Sequence, residues 1–162
     1  MKRIIAFVTA VLILVSVLSA CGEDNKQKSI SLEKLLGDIN AEMGISESTI
    51  EGLNIIKTEQ DLKDNYNITS DQITQFAAER TSSKKDYMEL VMVEAKDDES
   101  LKKIVDQMNS RLDAQLSTAK SYNPEAVDVL ESCKVITKGN YIYLVISKKQ
   151  EEIENIIEKA LS

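Results

Sequence analysis

Between Asp97 and Tyr122 the apolar residues recur with helical spacing, and on either side of that stretch the period changes to two. This switch restricts the possible folds more than any other feature of the chain. Leu101, Ile104, Val105, Met108, Leu112, Leu116 and Ala119 form one stripe along a long helix. Asp97-Asp98-Glu99-Ser100 places acidic charge at its first turn, where the helix dipole favours it, and Pro124 marks its end. Before it, Tyr87-Met88-Glu89-Leu90-Val91-Met92-Val93 reads as a strand buried on most of both faces. After it, residues 133–137 and 141–147 are two β-rich runs separated by Lys138-Gly139-Asn140, a tight hairpin turn. Strands joined by so short a turn cannot be parallel neighbours.

The remaining segments fill in around this frame. Ser31 caps a helix whose stripe is Leu32, Leu35, Leu36, Ile39 and Met43, with Gly44 as its stop. Residues 46–56 give no clear pattern. Thr58-Glu59-Gln60-Asp61 resembles a capping box and opens a short helix to about Tyr66. Residues 69–80 read two ways. Thr69-x-x-Gln72 looks like a helix start, yet the polar turn 81–86 and the strand after it require a hairpin partner, which favours a strand. Residues 150–161 close with a helix bearing Ile153, Ile156, Ile157 and Leu161. The expected fold is α+β: a four-stranded antiparallel sheet of two hairpins, a long helix between them, and helices packed mainly on one face.

The N-terminus carries an address. Met1-Lys2-Arg3 is a short basic start, and residues 4–18 run without a charge. That is shorter than the roughly 20 apolar residues a membrane span needs, and it suits the apolar region of a signal peptide. Leu18-Ser19-Ala20-Cys21-Gly22 resembles the lipobox of bacterial lipoproteins. The resemblance implies cleavage between Ala20 and Cys21 and a diacylglyceryl thioether on the Cys21 sulfur. Two acyl chains hold a bilayer stably where one binds only marginally. The expected division is a removed signal peptide over 1–20, a lipidated cysteine and polar tether over 21–30, and one domain over 31–162. The expected location is the extracytoplasmic face of the cell membrane.

Composition removes several classes of function. The formal charge is −7, and losing Lys2 and Arg3 with the leader makes it −9. An acidic domain is repelled by nucleic acid and by anionic lipid, so no nucleic-acid partner is expected. The Lys84-Lys85 and Lys148-Lys149 pairs read as a solvated turn and a strand end. There is no His, which excludes Ser-His-Asp and Cys-His catalysis within this chain and removes the commonest metal ligand. Asp97-Asp98-Glu99 and Asp61-x-x-Asp64 lack the spacing and central Gly of a calcium loop. No catalytic residue, metal site or cofactor is therefore assigned. Once Cys21 carries lipid, Cys133 has no partner, and it reads as a buried structural thiol.

Two places stand out. Glu89 interrupts an apolar strand and shares a face with Tyr87, Val91 and Val93, while Arg111 lies beside the core stripe of the long helix. Packing of that helix on that strand would join them as a partly buried pair, either structural or facing a ligand. Tyr122-Asn123, just before Pro124, reads as a helix stop that doubles as a candidate binding loop.

Roughly residues 50–148 resemble the Gram-positive surface lipoproteins of the domain of unknown function 4358. The matching segments are Tyr66-Asn67-Ile68, Glu89-Leu90-Val91, Glu94-Ala95-Lys96-Asp97, Arg111-Leu112-x-x-Gln115, Tyr122-Asn123-Pro124-Glu125 and Gly139-Asn140-Tyr141 with Leu144-Val145-Ile146-Ser147. Asn67 stands where the family pattern reads Gly. The resemblance implies a lipid-anchored, extracytoplasmic single domain without an assigned activity. The reading that follows is a non-catalytic interaction or accessory module with an envelope protein partner. The alternative is a small-ligand-binding surface lipoprotein, although 142 residues are too few for the two-lobed clamshell of solute receptors. An enzyme is the least favoured reading.

Overall fold

The computed structural model describes residues 30–83 and 87–162. Its elements run α1 (Leu32–Met43), β1 (Leu53–Ile56), α2 (Glu59–Tyr66), β2 (Ile73–Thr81), β3 (Glu89–Ala95), α3 (Asp98–Tyr122), α4 (Val127–Ser132), β4 (Ile136–Lys138), β5 (Tyr141–Ile146) and α5 (Gln150–Ala160). The caps are those the sequence signals. Ser31, Thr58 and Asp97 each accept a backbone N–H three residues on, and Gly44 ends α1 with φ +66°. The Thr69–Gln72 capping box is present, but it opens only the 3-10 turn Ser70–Gln72 before the chain extends into β2. Residues 73–81 are thus strand, as the hairpin argument requires.

The sheet is antiparallel throughout, in the order β1-β2-β3-β5-β4. The two expected hairpins are β2–β3 and β4–β5, joined along β3 and β5, with α3 between them in sequence. In the β4–β5 turn Gly139 takes φ +59°, as the first position of a type II′ turn demands.

Two expectations need correction. The sheet has five strands, not four. β1 was missed because it is a four-residue edge strand whose ends, Leu53 and Ile56, are buried while Asn54 and Ile55 are exposed, so it shows no alternation. Nor do the helices sit mainly on one face. α2, α3 and α4 cover one face, where Leu62, Ile104, Met108 and Leu130 meet Val91, Val93, Ile142 and Leu144. α1 and α5 cover the other, where Leu32, Leu36, Ile39, Ile153 and Ile157 meet Leu90, Met92, Tyr143 and Val145. The central strands dictate this. All six residues of β5 are buried, as are Glu89 to Val93 of β3. A strand apolar on both faces needs cover on both, because each buried aliphatic side chain stabilises by roughly 1.5–3 kcal/mol. The sheet therefore has no broad exposed face at its centre. Cys133 also lies outside a strand: it caps the C-terminus of α4.

Candidate functional site

β3 alternates its side chains across the sheet, which sends Glu89 to the α3 side with Val91 and Val93. Its residue is 4% exposed. α3 lies over that face along the Ile104–Met108–Leu112 stripe, which brings Arg111 to the rim of the packed surface. Arg111 Nη2 donates to Glu89 Oε2 at 2.9 Å and Nε donates to Oε1 at 3.3 Å, a two-pronged pairing. Gln115, one turn further along, donates from Nε2 to Oε2 at 2.6 Å. The guanidinium also lies over the ring of Tyr66 from α2, 5.6 Å from its centroid. One carboxylate thus ties β3, α3 and α2 together.

The electrostatics follow from burial and pairing. Burial opposes the Arg111 charge, but the Glu89 carboxylate outweighs it and holds the guanidinium above its ordinary pKa. Burial, with the Glu89 charge, pushes the Tyr66 phenol well up, against the opposing pull of Arg111 and Arg80. Arg80, whose Cα pairs with that of Glu89, donates to Asn65 Oδ1. Beside the cluster is a cavity of about 110 Å³ bordered by Arg80, Thr81, Tyr87, Glu89 and Gln115. That is room for a few waters, not for an organic ligand. Arg111 and Gln115 together engage both oxygens of Glu89, which joins β3 to α3.

The other sequence-derived positions lie apart. Tyr122 is 84% exposed, and Asn123 caps α3 through its N–H to Ala119 at 2.8 Å. Eleven residues beyond Arg111, at about 1.5 Å rise each, this loop stands roughly 16 Å along the helix from the pair. Cys133 is 5% exposed, its Sγ donates to the Val129 carbonyl at 3.1 Å, and burial pushes its thiol up to about 11. Ala20, Cys21 and the Lys84-Lys85 pair lie outside the described residues. Lys148 and Lys149 are exposed where β5 turns into α5. Among the described residues no cluster of three or more Cys, Asp or Glu is arranged to hold a metal ion, and no helix is long and apolar enough to cross a membrane.

Three polar features escaped the sequence reading. Gln115 was legible, since it lies four residues from Arg111 on one helix face. Glu79 was not: it sits in β2 at 0% exposure on the α1 face, where Asn40 Nδ2 donates to its Oε2 at 2.8 Å. The third is a network where the chain enters α1. Gln75 accepts from Leu32 N at 2.9 Å and donates to Ile30 O and Glu94 Oε2, both at 2.7 Å, while Asn140 donates to Glu94 Oε1 at 2.8 Å. Burial works to raise the Glu94 carboxyl, but hydrogen bonds from Gln75, Thr74, Asn140 and Tyr141 outweigh it and hold it below its usual range.

A family model described as Domain of unknown function (DUF4358) matches residues 46–147. Neither a curated protein nor a solved structure matches the chain.

Proposed function

This chain belongs to the DUF4358 family, and from that premise we propose that it is a lipid-anchored, extracytoplasmic lipoprotein acting as a non-catalytic interaction or accessory module of the cell envelope. The observation that carries the reading is Leu18-Ser19-Ala20-Cys21 at the end of an uncharged run behind Lys2 and Arg3. The fold supports it at the other end of the tether. Ile30 and Leu32, at the start of the described residues, are held by the Gln75 amide, which is itself held by Glu94. A pull on the tether is thereby passed to the centre of the sheet. The most conspicuous ionisable group, Glu89, is occupied by its own neighbours, which supports a role in presenting a surface rather than in turnover.

Membrane-impermeant cross-linking of intact cells tests both parts of the proposal. The expected result is labelling of the protein at the cell surface and a discrete adduct with another envelope protein. Complete protection from the reagent, or adducts with itself alone, would contradict it.

A further inference from the structure

We infer that a cavity at one end of the sheet binds a single-chain anionic amphiphile, specifically a medium-chain fatty carboxylate. The cavity has a volume of about 290 Å³ and lies under the segment that leaves α1. Met43, Ile45 and Ile50 line it from the end of α1 and the segment after it, Met88 from just before β3, and Ile153 from α5. The first three are half-buried, so their apolar surface is only partly covered by the fold itself. Thr49, one of the few hydroxyls in the lining, is already engaged with the carbonyls of Gly44 and Ser46 at 2.9 and 3.1 Å.

Lys148 and Lys149 belong to the same lining, and among the described residues no acidic one does. In a chain with 27 acidic and 20 basic residues, that is a local reversal of charge. Among the described residues neither lysine forms an ion pair. The larger grooves carry acids: Glu33 and Lys57 both line one, and Asp128, Glu151 and Glu154 line another that Lys148 also borders.

The chemistry of the occupant follows. Flexible Met and branched Ile walls suit a tail without fixed shape. Apart from the two lysines the lining offers only the Thr49, Tyr87 and Ser147 hydroxyls, which does not favour a ligand rich in hydrogen bonds. Two ammonium groups with no ion-pair partner among the described residues call for a negative head. At 290 Å³ the volume falls at the low end for small-molecule sites, which fits one short chain and not a two-chain lipid. The inference stands on the cavity and survives even if the chain proves not to be acylated.

The test uses the full-length mature protein in zwitterionic phospholipid nanodiscs, with ¹³C-labelled methionine methyls. Met43 and Met88 report on the cavity, and Met92 and Met108, buried in the two cores, serve as controls. Decanoate should shift Met43 and Met88 saturably and leave Met108 unmoved. Octanoate should bind up to about 15-fold more weakly, near fourfold per methylene. Decan-1-ol, and decanoate with the Lys148→Gln/Lys149→Gln variant, should each bind at least tenfold more weakly. Both lysines are exposed, so that variant keeps the fold. Non-saturating shifts at all four methionines, equal binding of the alcohol, or the same Met43 and Met88 shifts from phosphatidylglycerol nanodiscs without decanoate would overturn the inference. The last result would assign the site to a phospholipid headgroup.

Discussion

Arg111 grips both carboxylate oxygens of Glu89, one at 2.9 Å and the other at 3.3 Å, across the contact between the long helix and the centre of the sheet. The side chains are 23% and 5% exposed, so solvent screens the pair weakly. Removing one partner strands a buried charge, which costs about 3–5 kcal/mol. Glu89→Ala and Arg111→Ala should each destabilise by that order in urea unfolding. The double variant should cost much less than their sum. Additivity within about 0.5 kcal/mol would show that they act independently. Glu89→Leu with Arg111→Met should recover much of the loss, since apolar replacement of a buried pair is often neutral.

Glu79 predicts a pH dependence of opposite origin. Its carboxyl is buried among apolar neighbours and Asn40, and burial raises its pKa above the ordinary value despite the Asn40 hydrogen bond. A group whose pKa is raised on folding contributes stability that is fully present below its unfolded pKa. That contribution is lost as pH rises through the folded pKa. Glu79 Oε1 and Asn40 Oδ1 are both buried acceptors without a donor among the described residues, and a proton on the carboxyl supplies one. Glu79→Gln, which keeps the shape and cannot ionise, should flatten this part of the pH–stability curve. An unchanged curve in the variant would contradict the assignment.

Cys133 should be inert while the protein is folded. With its thiol pushed up to about 11 from an ordinary value of 9.0, the thiolate fraction near neutral pH falls about 100-fold. Its accessibility is low as well. Ellman's reagent should react at least that much more slowly with native protein than with protein unfolded in urea. Equal rates would show that the thiol is exposed.

Asn67 closes α2 in the left-handed region, at φ +58°. Asn and Gly are the residues that tolerate this conformation. Asn67→Gly should leave the melting temperature nearly unchanged. Asn67→Val should destabilise by about 1–2 kcal/mol, the cost of a branched Cβ in that region. The carbonyl contact from Gln107 at 2.7 Å remains available in both variants.

The parts of the fold legible in sequence are those with local signals. Ser31, Thr58, Asp97 and Gly44 set helix ends by capping, and the α3 stripe marks its core face before any contact is known. The face that α1 and α5 cover was written in β3 and β5 as unbroken apolar runs, and such runs mean cover on both sides. β1 was hidden because an edge strand of four residues owes its conformation to β2, not to its own pattern. Within the candidate site, Glu89 announced itself as an acid in an apolar strand, and Gln115 lay on the face of Arg111. Tyr66 and Glu79 gave no such signal, because which face they meet depends on how α2 and β2 pair at long range.

The proposed membrane anchor depends on the sulfur of Cys21. Intact-mass and N-terminal peptide mass spectrometry of protein extracted from bacterial membranes measures its state directly. The predicted species begins at Cys21 and carries a diacylglyceryl group on that thiol. A free Cys21 thiol, or residues 1–20 still attached in the native protein, would contradict it.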